Sequence, residues 1–118
     1  MSFQTVSKPW GHYTDFIRED NVVVKELIVK PGMKLSLQSH NLREEHWICV
    51  SGKGVAVLGN EKVSLFPGQK IHVPKKTIHR IINDSNEILR ITEVQLGFCN
   101  ETDIIRYEDD FGRNGTNN

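Results

Sequence analysis

Gln38, His40, Glu45 and His79 have the residue types and the spacing for metal chemistry. One amide oxygen, two imidazoles and one carboxylate form a mixed N/O donor set suited to a divalent ion of the Zn, Mn, Co, Ni or Fe group. No cysteine lies among them, so the set differs from a closed structural zinc site and would leave room for substrate. Gln38, His40 and Glu45 fall within one stretch, Gly32 to Trp47, and His79 follows a Pro-marked turn in a second stretch, Gly68 to Asn83. Burying these groups without compensation is costly, whereas one cation satisfies all of them. The bland alternative is a set of hydrogen-bonded polar residues in a barrel that holds no metal.

Strand alternation extends the candidate site. If residues 34–40 are extended, Lys34, Ser36, Gln38 and His40 share one face, while Leu35 and Leu37 pack on the other. A polar row of that kind must line something wet, a cavity or a barrel mouth. Lys34 is then expected beside the metal residues, where an ammonium can hold an anion or polarise an oxygen. Arg43 and Arg80 are further candidates for an anionic ligand, because the planar guanidinium matches phosphate geometry. Trp47 should face inward with Glu45, and His46 should face the opposite way. Glu93 and Gln95 share a face of the last strand, which makes Glu93 a second candidate acid/base if that face is internal. His12 and His72 have no ligand-like spacing. Cys49 is inward but has no implied histidine partner, so no nucleophilic role is expected.

The elements that must position these groups are all short strands. From Val22 onward, turn residues recur about every ten positions, and the segments between are rich in Val, Ile and Leu. Candidate strands are 22–30, 34–40, 45–51, 54–58, 62–65, 70–73, 79–83 and 87–94. No window of helical length carries an apolar stripe of 3.6-residue period, so any helix must be brief. About eight short strands in one small domain hide their edges by closing into a β jelly roll. The chain of 118 residues has room for one domain, expected over 1–113, with a polar disordered tail over 114–118.

Fifteen Lys and Arg against fifteen Asp and Glu leave no net charge, which argues against a nucleic-acid partner. The longest hydrophobic runs, Trp47 to Val50 and Val55 to Leu58, are far shorter than the roughly 20 residues of a membrane helix. The first ten residues do not resemble a secretion signal, so a cytoplasmic location and two free thiols, Cys49 and Cys99, are expected.

The spacings Gly32-x5-Gln38-x-His40-x4-Glu45-x6-Gly52 and Gly68-x5-Pro74-x4-His79-x3-Asn83 resemble the two motifs of the cupin superfamily, with Gln38 where many cupins have a first histidine. More narrowly, the runs from Lys8 to Tyr13, Leu35 to His40, Arg43 to Trp47, Val73 to Arg80, Glu93 to Gly97 and Asp103 to Arg113 look like the cupin domain of type II mannose-6-phosphate isomerases. That domain usually lies behind a mannose-1-phosphate guanylyltransferase domain. The chain departs from the family at Asn41-Leu42, where a His-rich run is common, and at Lys76, where the second motif commonly has Gly.

The resemblance implies a cupin jelly roll with one divalent ion that interconverts mannose 6-phosphate and fructose 6-phosphate as a homodimer. Nothing of a transferase domain is seen here, so nucleotidyl transfer is not expected. In that reading the metal stabilises charge at the reacting oxygens, and Lys34, Glu45, His46 or Glu93 serves in the chemistry. Lys34, Ser36, Arg43 and Arg80 hold the sugar phosphate. A non-catalytic cupin that binds a sugar phosphate or nucleotide sugar is a second reading, and a metal-dependent oxygenase a third. Gln38 in place of His disfavours the oxygenase.

Overall fold

Eleven β-strands fall into two antiparallel sheets in a computed structural model, which describes residues 3–108. The strands are β1 (Gln4–Lys8), β2 (Gly11–Arg18), β3 (Val22–Val29), β4 (Leu37–Ser39), β5 (Arg43–Ser51), β6 (Gly54–Leu58), β7 (Glu61–Leu65), β8 (Lys70–Val73), β9 (His79–Ile82), β10 (Leu89–Gly97) and β11 (Ile105–Glu108). One sheet has the order β1-β2-β3-β10-β5-β8 and the other β11-β4-β9-β6-β7. The described residues contain no helix, and therefore none long and apolar enough to cross a membrane. The expected tail, 114–118, lies outside the described residues.

The six-stranded sheet turns one row of β3, β5, β8 and β10 inward, as their alternating sequences dictate. On β3 the buried row is Val23, Lys25, Leu27 and Val29, and on β10 it is Leu89, Ile91, Glu93 and Gln95. Register places Val29 against Leu89, Leu27 against Ile91, Lys25 against Glu93, and Gln95 against Glu45 of β5. The interior therefore changes character along the strands. One end is an apolar core of Leu27, Val29, Cys49, Ala56, Leu65, Ile71, Leu89 and Ile91, where each fully buried large aliphatic side chain contributes about 1.5–3 kcal/mol. The other end carries charge. Asn83 ties the two sheets together: its amide donates to the carbonyls of Val29 (2.9 Å) and Glu87 (2.7 Å), and its oxygen accepts from Ser85.

Three strands escape the sequence reading. β1 and β2 pair with each other, and β2 joins β3, so the aromatic segment Phe3 to Tyr13 lies against its own sheet. β11 pairs with β4 at the other edge. The expected strand over residues 34–40 is also shorter. Only Leu37–Ser39 is strand, and Lys34 makes a single bridge to Ile82.

Lys76 is the one non-glycine with positive φ, 66°, among the described residues. Its N–H donates to the carbonyl of His40 at 2.7 Å, so the left-handed turn is fixed by the segment that carries His40. A side chain in that conformation costs roughly 1–2 kcal/mol, part of which glycine returns as unfolded-chain entropy. Lys76→Gly is expected to raise the unfolding free energy by up to about 1 kcal/mol, read as a higher urea midpoint at unchanged slope. A lower midpoint would show that the Lys76 side chain contributes more than the turn costs.

Candidate metal centre

Glu45 is the second inward residue of the polar end of β5, in the six-stranded sheet; His79 opens β9 in the five-stranded sheet, and His40 follows β4. All three are about 3% exposed. Their ligand atoms lie within 4.8 Å of one another, and the two imidazole centroids are 5.1 Å apart. His40 Nε2 is 3.2 Å from Glu45 Oε2, and His79 Nε2 is 3.7 Å from Glu45 Oε1.

Both rings are oriented from behind. His40 Nδ1 donates to the carbonyl of Asp103 (2.6 Å) and His79 Nδ1 to the carbonyl of Thr77 (2.9 Å). A carbonyl only accepts, so in each neutral ring the proton sits on Nδ1 and the Nε2 lone pair points into the site. That is how metal-binding imidazoles are held. Gln38 lies across the ladder from His79 and turns its Nε2 toward Ser36 Oγ (3.2 Å), which leaves Oε1 as its remaining polar atom. The donor set and its support fit a divalent ion.

Glu45 is the electrostatic centre. Arg43 donates to its Oε2 from Nε (3.1 Å) and Nη2 (3.0 Å), and the Trp47 indole donates to Oε1 (3.0 Å). Burial works against this carboxylate, yet His79, Arg43 and His40, with a hydrogen bond to Glu93, outweigh it and hold its pKa well below the usual carboxylate range. Burial is also the main reason that His40 falls to about 4, despite the opposing pull of Glu45. Glu93 goes the other way. Burial first, then the Glu45 charge, push it up to about 7, against the pull of Lys25, Arg43 and the Gln95 amide that donates at 2.6 Å.

These residues line an open cavity of about 100 Å³. Among its walls are five cationic side chains, Lys8, Lys25, Arg43, Arg80 and Arg106, against three carboxylates, Glu45, Glu93 and Glu101. Arg80 is 8% exposed and is braced by the carbonyl of Leu35, which its Nε meets at 2.8 Å. Lys25 lies over the Tyr13 ring, 4.1 Å from its centroid.

The structure brings Ser36, Gln38, Arg43, Glu45, His79, Arg80 and Glu93 to this cavity, with His40 behind them. It does not bring Lys34 or His46. Lys34 is not among the lining residues, because the register shifts by one residue between the Lys34–Ile82 bridge and the Gln38–His79 pair, which breaks the assumed alternation. His46 lies on the opposite face of β5, with its Nε2 2.8 Å from Glu44 and its ring stacked on His72. Cys49 is buried in the core and its thiol is pushed up by burial.

Lys25, Tyr13 and Arg106 were missed. A lysine in the inward phase of the Val23-Lys25-Leu27-Val29 row was a readable signal for the first. Asp103 was missed too: its carboxylate accepts from the backbone N–H groups of Asn41 and Leu42 at 2.9 Å, fixing the turn that carries His40.

A jelly-roll barrel with two imidazoles and a carboxylate converging at one end defines a cupin. The chain matches 86% of its length to a cupin-2 domain from Rhodospirillum rubrum with a TM-score of 0.72, at 14% identity and over 78% of that chain. The chain belongs to the family described as mannose-6-phosphate isomerase C-terminal, whose model matches residues 1–109. Among curated relatives, a mannose-1-phosphate guanylyltransferase of Sinorhizobium fredii is 39% identical over 107 residues, covering 90% of this chain and 21% of that protein. The xanthan biosynthesis protein XanB of Xanthomonas campestris is 41% identical over 109 residues, covering 92% and 23%. The chain thus spans about a fifth of the length of these relatives.

These names correct one expectation. The relatives are named for guanylyl transfer or polysaccharide biosynthesis, which overturns the reading as a mannose 6-phosphate to fructose 6-phosphate isomerase.

Two opposite pH effects follow for the metal-free protein. His40 is lowered from 6.5 to about 4, so its contribution to stability is whole above 6.5 and lost as pH falls through about 4. Glu93 is raised from 4.5 to about 7, so its contribution is whole below 4.5 and lost as pH rises through about 7. Glu93→Gln, a neutral stand-in for the protonated acid, should abolish the alkaline-side loss and leave the acid side unchanged in urea midpoints measured on chelator-treated protein. An alkaline-side loss of the same size in both proteins would assign it to another group.

Proposed function

We propose that this domain binds a phosphorylated sugar, mannose 1-phosphate in first place, against a divalent ion held by His40, Glu45 and His79 with the Gln38 amide oxygen. The observation that carries the reading is the charge of the cavity. Five cations face three carboxylates, and Glu93 near 7 is partly protonated at neutral pH, so the walls favour an anion even before an ion joins them. The relatives supply the sugar, since one of them is named for mannose 1-phosphate.

The ion would supply positive charge for the sugar oxygens. This chain's own residues do the rest. The lone pair of His40 Nε2 serves one partner at a time, and Arg43 Nη2 takes it here at 3.2 Å. Turning that lone pair to a metal frees the guanidinium N–H for a phosphate oxygen. Arg80, held by the Leu35 carbonyl, lines the five-stranded-sheet side, where its Nη atoms face the exposed Glu108 at 3.5 and 3.7 Å and would exchange that contact for phosphate. Protonated Glu93 donates to a sugar oxygen, and Lys25 opposite it balances the carboxylate when the proton leaves. Trp47 and Leu35 give the sugar ring an apolar wall. A cavity of this size admits one end of a hexose phosphate and leaves the remainder at the mouth.

Metal content of the purified domain, followed by calorimetric titration with mannose 1-phosphate before and after chelation, tests the reading. Chelation should abolish binding, and His79→Ala should lose the metal. Lys25→Met, which keeps the stem and removes one charge, should weaken binding about tenfold, the effect of one charge-assisted hydrogen bond. Equal affinity with and without metal, or no binding by the loaded domain, would overturn the proposal.

A further inference from the structure

We propose that Glu44, His46 and His72 form a second divalent-ion site, on the solvent-facing side of the six-stranded sheet, for a borderline ion such as Zn(II), Ni(II) or Cu(II). The inference is independent of the sugar-binding reading. β5 and β8 are paired antiparallel with His46 directly opposite His72, and Glu44 lies two residues along β5, on the same face. The two rings stack at 4.6 Å with 15° between their planes. Both Nε2 atoms converge on one oxygen: Glu44 Oε1 is 2.8 Å from His46 Nε2 and 3.2 Å from His72 Nε2. The three ligand atoms lie within 4.8 Å of one another.

Two imidazoles and a carboxylate form a set that such ions favour, and strand pairing removes most of the ordering cost of bringing them together. The side chains are 43%, 53% and 35% exposed for His46, His72 and Glu44, so water can complete the coordination shell. The flanking residues on this face, Ile48, Val94 and Leu96, are apolar, and Lys70 precedes His72 on β8, so Glu44 is the only carboxylate these strands offer here. The site differs from the inner one in its support. His40 and His79 have their Nδ1 protons fixed by backbone carbonyls, whereas no hydrogen bond holds Nδ1 of His46 or His72 among the described residues. These rings must shift the proton to Nδ1 when Nε2 takes an ion, which makes the outer site the weaker of the two.

The test is a count of Zn(II) equivalents on the untagged, chelator-stripped full chain, by competition with a chromophoric chelator, with imidazole 15N shifts recorded in parallel. Wild type should take two equivalents, the weaker one perturbing the rings of His46 and His72. His72→Ala and His46→Gln should each lose that equivalent and keep the tighter one, while His79→Ala keeps the weaker one. The proposal is overturned if His72→Ala binds as many equivalents as wild type, or if the rings of His46 and His72 do not shift while metal binds. Loss of only the tight equivalent from wild type would count against the inner centre, not against this one.

Discussion

A carboxylate ionised in a closed protein interior needs partners on every side, and Glu45 sets that requirement for the whole polar end of this barrel. Its two oxygens accept from the Trp47 indole and the Arg43 guanidinium, and the Nε2 lone pairs of His40 and His79, from the other sheet, converge beside them. Each partner is itself held: His40 by the Asp103 carbonyl, His79 by the Thr77 carbonyl. The chain of support runs outward from one charge to the turn before β11 and to the turn before β9. A change at Asp103, far along the sequence from His40, is therefore a change at the centre.

The same charge divides the two acids of the cavity. Glu45 is kept ionised by its cationic neighbours, and its negative charge in turn helps burial to raise Glu93. Two carboxylates in one cavity thus take different protonation states at neutral pH, one a fixed anion, the other a group that can give or take a proton. Lys25, opposite Glu93 in the ladder and over Tyr13, keeps that second acid from being displaced further. The result is a wall with a positive surplus beside two imidazoles and a carboxylate whose ligand atoms converge.

The two faces of β5 carry two uses of the same residue types. Alternation sends Glu45 and Trp47 inward, and Glu44 and His46 outward, so one tripeptide supplies a candidate ligand to each side of the sheet. Burial separates their behaviour. Inside, desolvation and fixed tautomers organise the donors; outside, water competes for every lone pair.

The sequence by itself determined the β class, most strands from Val22 onward, the inward phase of Glu45 and Trp47, and the donor types at positions 38, 40, 45 and 79. These are local properties: period-two alternation, turn residues and motif spacing act within a few residues and leave their mark on the string of letters. The family was legible as well, because the spaced motifs run through nearly the whole chain. Lys34 shows the limit of such reading, since alternation holds only while the register does, and between Lys34 opposite Ile82 and Gln38 opposite His79 the register shifts by one residue. Only the tertiary structure decided that β1, β2 and β11 complete the sheets, that Asp103 and Thr77 set the imidazole tautomers, that Lys25 and Arg106 join the cavity wall, and that His72 stands opposite His46. Those facts depend on which strands become neighbours, and the free energy of pairing distant segments belongs to the folded whole rather than to any one stretch of it.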